Sequence, residues 1–127
     1  MKFGVHFGSR GVAGDPDTLK AIAQKAEELG YDHFGMSDHV VVATDVESAY
    51  PYSESGKFFA QDTGVSLEQV TALGFVAAAT DRIQLLTSVL VLPHRHPVLA
   101  AKMLSTVDVL SKGRLIAGVG VGWLAEE

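Results

Sequence analysis

The sequence predicts an α/β fold built on a parallel sheet, and three observations predict it. Short apolar, strand-like runs alternate with capped helical stretches in the order β-α-β-α-β-α-β, an order that calls for parallel pairing through right-handed crossovers. The run Ile83 to Leu92 is almost wholly aliphatic, as a strand buried on both faces of a parallel sheet should be. A long polar and aromatic insertion follows the second strand, at the carboxyl end, where parallel α/β proteins place their sites.

The first strand is read over Lys2 to Gly8. Asp15-Pro16-Asp17 then opens a helix, with a capping carboxylate and a proline at the first helical position. Leu19, Ile22, Ala23, Ala26 and Leu29 recur at helical spacing, and Gly30 supplies the left-handed stop. The second strand is expected over Asp32 to Ser37, and Val40 to Gly64 reads as a loop. Loops longer than about 15 residues are commonly functional or disordered. Ser66-Leu67-Glu68-Gln69 reads as a capping box for a second helix, with Leu67, Val70, Leu73 and Ala77 turned inward. Asp81-Arg82 interrupts the pattern, and the third strand, Ile83 to Leu92, ends at Pro93. His96-Pro97 opens a third helix whose inner face is read as Leu99, Met103, Thr106, Val107 and Leu110. Ser111-Lys112-Gly113 closes it, and Arg114 to Val121 forms the fourth strand.

Composition limits the function classes. Ten basic residues against fifteen acidic ones give a net charge of −5, so no basic stripe offers itself to nucleic acid. No cysteine is present, which removes disulfide and thiolate chemistry and fits a cytoplasmic protein. The chain enters a strand at once, unlike a secretory signal. No apolar run reaches the ~18 residues that span a bilayer. An apolar fraction of 47% in 127 residues suits a buried parallel sheet, yet the chain falls short of the ~250 residues of a complete (β/α)8 barrel. A doubly wound sheet and half of a barrel both fit this pattern.

Three segments are candidates for chemistry. Ser37-Asp38-His39 lies where strand two enters the loop, which suits His39 as proton donor or ring partner with Asp38 orienting it; an exposed loop histidine beside a capping aspartate reads equally well. Thr87 and Ser88 are hydroxyls within an apolar strand, to be satisfied by a ligand or by neighbouring backbone. Gly118-Val119-Gly120-Val121-Gly122-Trp123 is no dinucleotide fingerprint, because Trp123 stands where a glycine is required and the run ends the fourth strand. Its alternating glycines permit close approach by a flat ligand or by packed neighbours. Trp123 stacks on a ring or packs the rim. Tyr50 and Tyr52 form a lid or anchor the loop, and Lys57 and Arg95 are the basic residues that could meet an anionic tail. His94 and His96 lack a third ligand nearby, so no metal site is expected. Gly8-Ser9-Arg10-Gly11 lacks the spacing and lysine of a phosphate loop, which disfavours an open nucleotide-binding sheet.

Taken together, these segments resemble the bacterial-luciferase-like monooxygenase superfamily, in particular its F-420-dependent oxidoreductases. The resemblance rests on Met1 to His6, Ala26-Glu27-Glu28-Leu29-Gly30-Tyr31-Asp32, Ser37 to Val41, Tyr50 to Ser53 with Gly56, Thr87 to Pro93, Leu110 to Leu115, and Gly118 to Trp123. It implies a (β/α)8 barrel of TIM type, of which residues 1–127 supply the first four strand–helix units as an amino-terminal half barrel. It implies hydride transfer with deazaflavin F-420, or alternatively FMN, to or from a small organic substrate. It also implies His39 as the catalytic residue, and Asp38, His39, Thr87, Ser88, Val89, Gly120 and Gly122 as the cofactor-binding set. Ser88-Val89 is expected to form a bulge with a non-prolyl cis peptide behind the ring. The superfamily's sugar-phosphate and alcohol dehydrogenases carry an acidic glutamate where Trp123 stands, so their particular reaction is not implied. The alternative is a non-catalytic half barrel: unpaired edges and an exposed barrel interior predict a homo-oligomer.

Overall fold

The computed structural model describes residues 1–43, 45–58 and 65–127; Thr44 and residues 59–64, which belong to the predicted loop, lie outside them. Four strands, β1 (Gly4–Phe7), β2 (His33–Met36), β3 (Gln84–Val91) and β4 (Leu115–Gly120), alternate with α1 (Pro16–Glu28), α2 (Gln69–Ala79) and α3 (Pro97–Leu110). Short 3-10 turns at Gly11–Gly14 and Leu92–His94 complete the chain. The four strands pair in parallel, and their spatial order β1-β2-β3-β4 follows the sequence. It lacks the reversal of strand order that defines a doubly wound sheet. Consecutive helices pack against one another. No helix among the described residues is long and apolar enough to cross a membrane.

The element boundaries follow local chemistry. Asp15 caps α1 by accepting from the Thr18 N–H at 2.8 Å, with Pro16 at the first position, and Gly30 takes φ +82° at its end. The second helix departs from the expected capping box. Ser66 pairs instead with Arg10 in an isolated bridge, and Glu68 caps α2 by accepting from the Thr71 N–H at 2.6 Å. Gln69, fully buried, reaches back to the Met36 carbonyl at 2.6 Å. That bond ties the start of α2 to the end of β2.

The core lies between sheet and helices, where Phe34, Met36, Leu85 and Leu90 meet Leu19, Ala23, Leu73, Val76 and Val107. Two expected helix faces are corrected. Leu29 follows α1 and is 65% exposed, and α3 docks through Ala100, Met103, Leu104 and Val107, leaving Leu99, Thr106 and Leu110 exposed. Because α3 is apolar on nearly every side, the phase of its buried stripe is set by the sheet it meets, not by its own pattern. β3 is also not buried on both faces: Leu85 and Thr87 are sealed under the helices, while Leu86 and Ser88 are half-buried and Val89 is exposed. No second layer covers that face among the described residues.

Charged clamps hold the amino ends of the strands. The Glu27 carboxylate accepts from the backbone N–H groups of Asp81, Arg82 and Ile83. Arg114 donates to the carbonyls of Ala77, Thr80 and Ile83. These contacts fix strand starts and leave the carboxyl ends to form the site.

Candidate functional site

The carboxyl ends of all four strands open onto one cleft of about 780 Å³, within the ordinary size range of small-molecule sites. Gly8 and Arg10 follow β1, Ser37 to His39 follow β2, Ser88 to Val91 come from β3, and Gly120 to Trp123 end β4. The loop after β2 contributes Tyr50, Tyr52 and Phe58.

His39 sits at the back of this cleft, its side chain 11% exposed, with Nδ1 2.9 Å from Glu127 Oε2. Its ring lies 5.3 Å from Phe58, which packs in turn on Tyr50 (5.3 Å) and Trp123 (5.2 Å). Tyr50 and Trp123 close the cluster at 5.1 Å. Trp123 and Tyr50 are therefore rim packing that also lines the cleft, whereas Tyr52 is 81% exposed at its mouth. The Arg10 guanidinium lies over the Phe58 ring at 4.8 Å, a favourable cation–π position. Burial lowers its pKa, and the charge of Glu127 opposes that shift.

The Ser88–Val89 peptide is cis, and the β3–β4 register shifts between Thr87 and Leu90, as the resemblance implied. His6 Nε2 lies 3.2 Å from the Ser88 carbonyl and steadies this bulge from β1. The glycines of β4 fit the bulge rather than merely leaving space for a ligand. A Cβ on Gly118 would stand 2.5 Å from the Thr87 carbonyl, and one on Gly120 would stand 2.9 Å from a Val89 methyl. Gly122 has φ +82° as well as a close Val91 neighbour.

Two members of the expected cofactor set point elsewhere. The Thr87 side chain is fully buried, donates to the Gly118 carbonyl at 2.8 Å and does not line the cleft. Asp38 stands in the cleft wall, but its carboxylate accepts two bonds from Arg95, at 2.6 and 2.8 Å, and one from the Val91 N–H at 2.9 Å. Arg95 also donates to Glu68 at 2.7 Å. Its side chain, 7% exposed, is thus engaged inward and does not extend to an anionic tail. Hydrogen bonds to Asp38 hold the Arg95 pKa above its ordinary value, against the effect of burial. Burial raises the Glu68 pKa, but bonds from Thr71 and Arg95 outweigh it and leave the carboxyl below its usual range. The triad joins the end of β2, the end of β3 and the start of α2. It is a brace under His39. The remaining members, His39, Ser88, Val89, Gly120 and Gly122, do meet in the cleft.

Sequence reasoning gave no weight to Glu126 and Glu127, yet Glu127 is tied into the site by three hydrogen bonds. It is 2% exposed and accepts from Val40 N–H, from Val41 N–H at 3.1 Å and from His39. Its neighbour Glu126 accepts from the Glu47 and Ser48 N–H groups at 2.7 and 2.8 Å. Ser48's hydroxyl and N–H hold the Glu126 carboxyl down to about 2. Nothing in the spacing links these residues to partners some eighty positions away. His6 and Phe58 were missed for the same reason.

A model of the luciferase-like monooxygenase family matches residues 1–127. The chain belongs to that family. Among its relatives, an uncharacterised protein of Mycobacterium tuberculosis is 32% identical over 110 residues, which are 87% of this chain and 39% of that protein. An F420-dependent glucose-6-phosphate dehydrogenase of Microbacterium testaceum is 32% identical over 108 residues, 84% of this chain and 27% of the enzyme. The crystal structure of monooxygenase RslO1 from Streptomyces bottropensis superposes with a TM-score of 0.69 at 28% identity, over 99% of this chain and 35% of that one. This luciferase-like chain thus spans well under half the length of the relatives it matches.

Proposed function

We propose that this luciferase-like chain is the amino-terminal half of a (β/α)8 barrel of TIM type, and that its cleft receives the ring of deazaflavin F-420 in an oxidoreductase acting on a small organic substrate. The observation that carries this reading is the convergence of His39, the Ser88–Val89 bulge and the Gly120-Val121-Gly122-Trp123 strand end on one cleft. The sequential strand order supports the barrel, and the F420-dependent relative supports the cofactor. A flat ring suits the cleft: Val89 and the β4 backbone give one wall, and Tyr50, Phe58 and Trp123 give an aromatic rim.

When bound, the cofactor would carry the hydride. His39, the catalytic residue of this reading, exchanges a proton with the group facing it. Ser88 and Val89 would back the ring, and Gly120 and Gly122 would let it approach main chain. Thr87 and Asp38 serve from behind, by fixing the bulge and the β2 end. Arg10 is the one described cleft residue with a permanent positive charge, so a phosphate-bearing tail requires anchoring beyond this cleft. FMN is the second reading, and a monooxygenase of the same fold has been solved in complex with FMN. By the resemblance, Trp123 stands where the sugar-phosphate and alcohol dehydrogenases carry a glutamate, so their particular reaction is not proposed. We also propose a cytoplasmic location and association with a second copy.

The test is His39→Ala in cofactor-loaded protein. Turnover falls by about 10²–10⁴-fold, with little change in Tm. Parallel losses of turnover and stability would make His39 structural.

A further inference from the structure

We propose that Glu127 is the positioning residue of His39, fixing the tautomer in which Nδ1 carries the proton and Nε2 is left bare. The inference deepens the reading of the cleft, and rests on it only for the use to which His39 is put.

A carboxylate offers acceptors and no donor. Glu127 Oε2 lies 2.9 Å from His39 Nδ1, so that nitrogen bears hydrogen. The neutral imidazole then has its lone pair on Nε2. The carboxylate cannot swing away to relax this demand, because Oε1 is held by the adjacent N–H groups of Val40 and Val41. His94 Nδ1 stands 3.7 Å from the same Oε1, outside hydrogen-bond distance, and does not compete. With 2% of its side chain exposed, Glu127 does this out of water, where a charge-assisted bond is strong. The same side chain therefore sets the loop that follows His39 and orients the imidazole itself. A bare Nε2 makes neutral His39 a proton acceptor toward the cleft; the opposite tautomer would make it a donor there.

The experiment reads the tautomer directly from the imidazole nitrogens by long-range proton–nitrogen NMR on uniformly nitrogen-15-labelled protein without cofactor. Five histidines give five patterns, and His39→Gln assigns the one that disappears. In the wild-type protein, neutral His39 shows the Nδ1–H pattern. In Glu127→Gln the amide oxygen stays with the Val40 and Val41 donors, the NH₂ group meets Nδ1, and the pattern inverts to Nε2–H. A wild-type Nε2–H pattern overturns the inference, and so does a Glu127→Gln protein that keeps Nδ1–H. Should the variant not fold, the wild-type protein decides through scalar coupling between the His39 Nδ1 proton and the Glu127 carboxyl carbon; absence of that coupling overturns it. Because the readout needs no cofactor, this inference and the cofactor reading fail separately.

Discussion

Replacing Arg95 with methionine tests the brace on which the site rests. The substitution keeps side-chain length and removes the guanidinium. Asp38, whose side chain is fully buried, then retains, among the described residues, the Val91 N–H. Removing one partner of a buried ion pair costs about 3–5 kcal/mol, because the other charge is left uncompensated. With an unfolding entropy near 2.1 cal/mol/K per residue, 127 residues give about 270 cal/mol/K, so Tm falls by roughly 11–19 °C. The double variant Arg95→Met with Asp38→Leu leaves chiefly one orphaned backbone N–H, which costs about 1–3 kcal/mol, or roughly 4–11 °C. It is therefore more stable than the single variant. Thermal unfolding followed by circular dichroism measures both. A single-variant loss below about 1 kcal/mol, the value of exposed pairs, would refute the reasoning, as would a double variant less stable than the single.

Two further perturbations bear on the same scaffold. Gly118→Ala sets a methyl 2.5 Å from the Thr87 carbonyl; overpacking of this kind costs about 1–3 kcal/mol, read as a lower urea midpoint at unchanged slope. Acid weakens the fold through Glu27, Glu68 and Glu126, all of which lie below the ordinary glutamate value of 4.5 in the folded chain. For Glu27, burial acts upward and is outweighed by the N–H groups of Ile83, Arg82 and Asp81. Depressed folded values mean that the stability these groups add is complete above about 4.5 and is lost as pH falls through the folded values, toward about 2 for Glu126. Denaturant midpoints should therefore decline between pH 5 and pH 2.

The strand–helix order and the α1 cap were legible because each is encoded locally, and the β3 bulge because a resemblance implied it. Asp15-Pro16 carries its own geometry, and the bulge came with the family resemblance of Thr87 to Pro93. The phase of α3 was not legible, since Leu99 and Leu110 are as apolar as the residues that dock. Half of the candidate site was readable as residues placed at strand ends: His39, Ser88, Gly120. What each side chain does was not. Whether Thr87 meets a ligand or a carbonyl depends on Gly118, thirty-one positions away, and Asp38 turns inward because Arg95 arrives from the end of the turn Leu92–His94. Glu127 reaches His39 across eighty-eight positions. Such pairings are set by register and by loop path, which no single segment records.

The central claim, that this cleft receives a deazaflavin ring, is tested most directly by fluorescence titration with F-420, with its 8-hydroxy-5-deazaflavin chromophore lacking the phosphate-bearing tail, and with FMN. Molar mass by light scattering is recorded on the same samples. The predicted result is saturable binding of the tail-free chromophore that Gly120→Val weakens, by a species heavier than the 13.5 kDa monomer. Absence of saturable binding by F-420 and by its chromophore, in protein whose cleft is folded, would contradict it, whether or not FMN binds.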